Sequence, residues 1–444
     1  MRTLALAFVA VVIAGLPPRA DAGRDSSVLI HPPFRHSLGF RKVTPLHVFL
    51  YLGARTRFDE PGAIAAVKLR SEDDPRTARD DDELTVFGLN AGRCQVLYNT
   101  SLTSADLYGA CGAGEGQFRG PSGIAADEEG NVFVADPGND RIVRLAYRDR
   151  RLRFVRNLSG TGPGEGRFSR PSGVAVGASG TLYVADTGND RIVLTTPAGA
   201  FVGSFSGDAA AGVTLDGPSA VAVVEAADEW TALARDAIVA VDRGGTRILS
   251  FARDGRLIAT ARSEALPFPN ARFHQVAIDF YGSVYATDTG RSQIHKLDAA
   301  LTYVASHGGR EGGRSELDEP RGITIWRRFG QVFVTERTGA QYFWIGTEVR
   351  DLEARVVRPP GGPAEIELSY TLVETSRVTV ELLGPRGEVV RTLLGRRRRP
   401  IGRNAERLEA PGVAAGRYTL RVMAAPTYSA GSHFQDTAET AIQL

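Results

Sequence analysis

Apolar residues in this chain come in short runs bounded by Gly, Pro, Asn and Asp, and the runs repeat. Between residues 115 and 145 a Pro121-Ser-Gly mark opens a pair of apolar positions, Ile124 and Ala125, and a turn at Gly130 leads to Val132, Phe133 and Val134. A tight Asp-x-Gly-Asn-Asp turn then precedes Arg141-Ile-Val. Residues 165 to 194 repeat the pattern with Pro171-Ser-Gly, Val174 and Ala175, Gly180, Leu182 to Val184, and Arg191-Ile-Val. Short β-branched and aromatic runs separated by turn residues predict antiparallel strands joined by hairpins.

Weaker copies follow the same order. Pro61-Gly-Ala-Ile-Ala goes with Leu84 to Arg93, and Pro218-Ser-Ala-Val-Ala with Ala237 to Arg247. Phe273-His-Gln-Val-Ala goes with Ser283 to Gln293, and Pro320-Arg-Gly-Ile-Thr with Gln331 to Gln341. The residue opening the third strand is Arg93, Arg141, Arg191, Arg247, Gln293 or Gln341, at intervals of 48, 50, 56, 46 and 48. Such a period fits one four-stranded unit per repeat. These residues resemble the NHL repeat, which implies an all-β fold: a six-bladed β-propeller over residues 45–350, acting as a rigid platform for protein, glycan or nucleic-acid partners.

Met1 to Ala22 read as a secretory signal peptide: Arg2, an apolar stretch from Leu4 to Leu16, and Ala20-Asp21-Ala22 as cleavage site. Export makes the location periplasmic or extracellular. Residues 23–44 are a polar lead-in. His47 to Gly53 is expected as an outer strand that pairs with Gln341 to Gly346 and closes the ring. Beyond Trp344 the repeat stops, and 351–362, with Arg358-Pro-Pro-Gly-Gly-Pro, reads as a linker. Residues 363–444 alternate like a small β-sandwich. Tyr370-Thr-Leu, Gly387 with Val389-Val-Arg-Thr-Leu, and Gly416-Arg-Tyr resemble the immunoglobulin-like domain of flagellar hook-capping proteins, although its Trp-Asp-Gly turn is missing. Arg396 to Arg399 is expected in a solvated hairpin loop.

Charge narrows the partners. Basic and acidic residues number 53 and 51, so no overall field draws nucleic acid or a membrane. No segment after the leader is apolar enough to insert in a bilayer, and a monomer is expected. Cys94 and Cys111 are the two cysteines. Alignment with the next repeat puts them at the ends of a hairpin, where a disulfide is possible in an exported protein; free buried thiols are the alternative.

Asp136 with Arg141 and Asp186 with Arg191 recur at equivalent positions, which assigns them to tying the repeat together. A site shows instead where repeats differ. The position after the motif proline is Gly62, Ser122, Ser172 and Ser219, then His274 and Arg321. On the same face the turns of the last two repeats carry Arg291 and Arg337. These four residues are the candidate ligand site, suited to an anionic glycan or a peptide carboxylate; drift of degenerate repeats is the plainer account. No zinc-ligand spacing and no nucleophile motif occurs, so no metal or cofactor is expected. The acidic stretches Glu72 to Asp74 and Asp80 to Glu83 read as a solvated insertion. The expected function is binding or scaffolding of a protein or glycan at the cell envelope. The alternatives are a metal-dependent hydrolase or lyase with its site in the channel, and a mainly structural surface protein attached through its sandwich.

Overall fold

The computed structural model describes residues 28–32, 42–72, 84–101, 104–159, 167–267, 269–309, 317–358, 364–428, 431 and 433–444. The expected signal peptide, Asp73, Asp74, Asp80 to Glu83 and residues 359–362 of the expected linker lie outside them.

Antiparallel sheets dominate. Sheet 1 is Pro61–Lys68, Leu84–Asn90, Gln95–Ser101 and Ser104–Tyr108; sheet 2 is Gly123–Ala126, Asn131–Asp136, Arg141–Arg148 and Arg151–Leu158. Sheets 3 (Pro171 to Phe205), 4 (Ala220 to Arg262) and 5 (Phe273 to Gly308) repeat this four-strand order. Sheet 6 holds Ile323–Trp326, Gln331–Glu336 and Gly339–Ile345. The first strands stand side by side in chain order, and the sixth returns to the first, where Thr335 Oγ1 donates to the carbonyl of Gly62.

The motif glycine has a steric reason. A Cβ on Gly123 would lie 2.6 Å from the carbonyl oxygen of Ser172, and one on Gly173 would lie 2.9 Å from the Cα of Ala220. Neighbouring first strands therefore touch backbone to backbone at this end, hereafter the upper rim. Apolar second and third strands, such as Val132 to Ala135 with Ile142 and Val143, are wholly buried between sheets.

Closure by the N-terminus differs from expectation. His47 to Gly53 does not pair with sheet 6; Pro45–Leu52 is an α-helix. Thr44 precedes a proline at the first helical position and its N–H donates to His47 Nδ1 (3.0 Å), which favours helix initiation. Val48 and Leu52, four apart, are the buried side of that helix. The fourth-strand place in sheet 6 is taken from the lead-in: Leu29–Ile30 pairs with Ile345 and Trp344, and Lys42–Val43 with Gln341 and Ala340.

The expected linker is also corrected. Val349–Val357 pairs with Glu365–Leu372, so the Pro-Gly segment connects two strands of one sheet and does not separate domains. Gly402–Glu409 completes that three-stranded sheet. A second sheet runs in the order Val389–Arg399, Ser376–Leu383, Arg417–Pro426, Asp436–Gln443. The two sheets share one apolar core, with Ile366, Leu368, Tyr370, Val380, Leu420 and Val422. Arg396 to Arg399 accordingly ends a strand and is no loop. Val373 and Tyr428 of this C-terminal unit join the core of sheets 5 and 6, so both units pack as one body at the lower rim. Among the described residues no helix is long and apolar enough to cross a membrane.

Candidate functional site

The repeated Asp and Arg make a clamp at the upper rim. Asp136 Oδ2 accepts from Arg141 Nε (2.8 Å) and from Asn139 Nδ2 (2.8 Å), while its Oδ1 accepts the backbone N–H of Arg119 (2.6 Å). Arg141 then donates to the carbonyls of Ala113 and Gln117. Both side chains are buried. The charge is thus spent on fastening the incoming loop to the turn between second and third strands. Sheet 3 repeats it with Asp186, Arg191 and Asn189, and with the N–H of Ser169 (2.7 Å). Asp242 with Arg247 does the same in sheet 4.

The clamp persists where the motif fails. In sheet 5 the third strand opens with Gln293, and His295 takes the carboxylate of Asp288 instead (3.1 Å). Burial lowers the pKa of His295 against the pull of Asp288; burial acts to raise Asp288 but is outweighed by the hydrogen bonds from His295 and the N–H of Arg272, which hold it below its ordinary value. Sheet 6 uses Glu336 with Gln341 (2.7 Å) and the N–H of Asp318 (3.0 Å). Sheet 1 uses Asn90, which accepts the N–H of Asp59 (2.7 Å). Next to it Cys94 occupies the left-handed position (φ 52°) that Asp140 and Asp190 hold in sheets 2 and 3, and it is bonded to Cys111.

The position after the motif proline also ties sheets together. Ser122 Oγ donates to the carbonyl of Ser172 (2.8 Å), and Ser172 Oγ to that of Ser219 (3.1 Å). His274 does the equivalent with Nδ1, which bonds the carbonyl of Arg321 (2.9 Å). A carbonyl only accepts, so Nδ1 carries the proton. Although the residue is exposed, partial desolvation lowers its pKa, against the bond to the Arg321 carbonyl, and the Arg321 charge adds to the lowering.

The four candidate residues are therefore partly brought together. His274 and Arg321 meet through that bond. Arg321 and Arg337 share one acid: Glu319 lies 3.8 Å from Arg321 and 4.0 Å from Arg337, while Arg337 is also bidentate on Asp318 (3.0 and 3.2 Å). Arg291 donates to the carbonyl of Pro269 (3.1 Å). The acids were legible as Asp318-Glu319-Pro320, directly before the motif proline, and they offset the positive charge of the rim.

Below the rim the first strands enclose a channel. Its cavity of about 620 Å³ runs from Ala63, Ile124, Val174, Val221, Gln275 and Ile323 to the turns at the lower rim. There it opens among Glu128 and Glu129, both bonded to Arg70 (3.1 and 2.9 Å), Asp228 bonded to Arg327, and Trp230, which Arg328 covers at 4.9 Å. The walls are mainly Ala, Val and Ile, with Gln275 and Thr324 as polar side chains. Among the described residues no three of His, Cys, Asp and Glu stand together as a metal-ligand group.

Residues 168–193 match the NHL repeat. Among solved structures, the chain is similar to a streptogramin B lyase (19% identity, 58% of this chain and 75% of that one, TM-score 0.40). It is similar also to a gluconolactonase from Xanthomonas campestris (14%, 68% and 94%, TM-score 0.44) and to the PQQ-bound aldose sugar dehydrogenase from Streptomyces coelicolor (13%, 65% and 96%, TM-score 0.41). No curated protein matches the sequence. Likeness at this level carries no argument about ligand or reaction.

Proposed function

We propose that this chain is an exported binding protein: a six-bladed propeller of NHL type carrying an immunoglobulin-like sandwich, with its ligand site at the upper rim of sheets 5 and 6. The carrying observation is that Arg321 and Arg337 stand either side of one half-buried acid, Glu319, and Arg337 also pairs with Asp318. Arg337 is exposed, and surface ion pairs of this kind contribute ~0–1 kcal/mol, so a carboxylate from outside exchanges with its acids at little cost. The ligand class is a protein segment or glycan bearing carboxylates, at the cell envelope or outside the cell. His274 is held by its bond to Arg321 and positions that residue's backbone.

The test is calorimetry with a panel of acidic oligosaccharides and of peptides with a free terminal carboxylate. One class should bind, with an affinity that falls at high salt and is lost in the Arg321→Ala, Arg337→Ala double variant. Binding that is indifferent to both substitutions overturns the rim site. A hydrolase or lyase of the channel is the second reading, and the cavity favours it. Stoichiometric metal in the purified protein, with turnover of lactones or esters, would establish that one instead.

A further inference from the structure

The C-terminal unit carries a concentration of charge that the rim does not use. Residues 376–399 hold seven arginines and two glutamates, a net of five positive charges in a chain whose total is +2. They form two strands, and Val389–Arg399 is the edge of its sheet; among the described residues no strand pairs with its outer side. Arg377 stands directly opposite Arg398, and like charges in that relation repel. Arg399 is paired with Glu406, and Arg398 lies over the ring of Tyr281 at 4.9 Å. Arg377, Arg391, Arg396 and Arg397 have no ion pair with a described residue and are exposed. Near the other end of the strand Val389 and Val390 are 51% and 43% exposed.

The strand is bulged where the arginines begin. Its register shifts between the partners of Val378 and Val380. Arg396 takes φ 41° there, and its N–H donates to Thr379 Oγ1 (3.3 Å). A bulge of this kind re-aims side chains at a sheet edge.

We propose that the free edge of Val389–Arg399 binds an extended acidic polypeptide segment, which adds to the sheet as a further strand and sets its carboxylates on Arg391, Arg396 and Arg397. An edge strand presents a row of N–H and C=O groups that another backbone matches, and side chains then supply the selectivity. Guanidinium forks suit carboxylates, and the two valines give the segment apolar contacts. Charge on an edge also guards against aggregation. That role accounts for one or two arginines on the edge itself. It does not account for Arg377, which lies on the interior neighbour and adds repulsion where there is no edge to protect.

The experiment uses the full chain and fluorescence anisotropy with an eight-residue peptide alternating Glu and Val. The controls are its Gln-Val counterpart, the Glu-Val peptide N-methylated at alternate amides, and heparin. The Glu-Val peptide should bind roughly tenfold or more tightly than either peptide control. The variant Arg391→Gln, Arg396→Gln, Arg397→Gln should lose that binding, with an unchanged or raised melting temperature because repulsion is relieved. Absence of binding, equal affinity for the Gln-Val or the N-methylated peptide, or binding undiminished in the variant overturns the proposal. So does tighter binding of heparin, which would mark the strand as a general polyanion surface.

Discussion

Lys296 and Glu374, 78 positions apart, form an ion pair sealed between the third strand of sheet 5 and the C-terminal unit, at 0% and 1% side-chain exposure. Asp279, also fully buried, faces the same ammonium, and Tyr285 lies beneath it at 5.0 Å. Asp279 Oδ1 accepts the N–H groups of Tyr281 and Ser283, while Oδ2 has no partner among the described residues. Two carboxyls thus share one lysine. Burial pushes Glu374 up to about 7 and raises Asp279 as well, despite the lysine.

That arrangement makes docking of the two units pH-dependent. A carboxyl whose pKa is higher folded than unfolded binds more protons in the folded state, so stability is greatest below the unfolded value and falls as pH rises through the folded one. For Glu374 the window runs from its ordinary 4.5 to about 7. The melting temperature should drop between pH 5 and pH 8. Glu374→Gln should flatten the decline, and an equal slope in both proteins would refute this account.

Removing the lysine alone leaves two buried acids. Lys296→Met should therefore cost about 3–5 kcal/mol, as for other broken buried pairs. Adding Glu374→Leu should return much of that loss. Denaturant midpoints of the single and double variants, assembled into a cycle, measure the difference.

The rim clamps are the second place where one substitution should be severe. Asp186→Ala strands the largely buried guanidinium of Arg191 and frees the N–H of Ser169. A loss of ~3–5 kcal/mol is expected. Arg291→Ala, which removes an exposed side chain that donates to the carbonyl of Pro269, should cost far less, about 1 kcal/mol. Urea unfolding would separate the two.

Glycine in the motif can be tested for packing. Gly173→Ala drives a methyl against the backbone of sheet 4 at 2.9 Å, whereas a Cβ at Gly203 meets nothing within 4 Å. The first should destabilise by roughly 1–3 kcal/mol, and the second by less than 0.5 kcal/mol if at all. Comparable thermal shifts would show that the strands are not in close contact.

How much of this was legible varies with the kind of signal. The Pro-Ser-Gly and Asp-x-Gly-Asn-Asp marks reveal the period because each answers a backbone need: close approach at Gly173, a left-handed residue at Asp190, a loop fastened to Asp186. The segment from His47 to Gly53 misleads because its composition suits a strand. The deciding features were Thr44-Pro45 and the spacing of Val48 and Leu52. Pro359 to Pro363 reads equally well as a spacer or as a tight connection, and only the pairing of Val349–Val357 decides between them. The rim arginines were found by their departure from the repeat, but the same departure brought in Asp318 and Glu319, whose effect needs distances. Lys296 carried no recognisable motif. Its carboxylate partners come from Asp279, within the same repeat, and Glu374, beyond the last one.

The clasp between His31 and Tyr342, 311 positions apart, bears on biosynthesis. The first described strand to leave the ribosome finds its mate in the last of the six sheets to be made. The outer members of sheet 6 wait for its inner strands until then, and the nascent protein must shelter them unmatched throughout. Assembly of these sheets is thereby finished late, once residues 340–345 are free to meet the N-terminal strands.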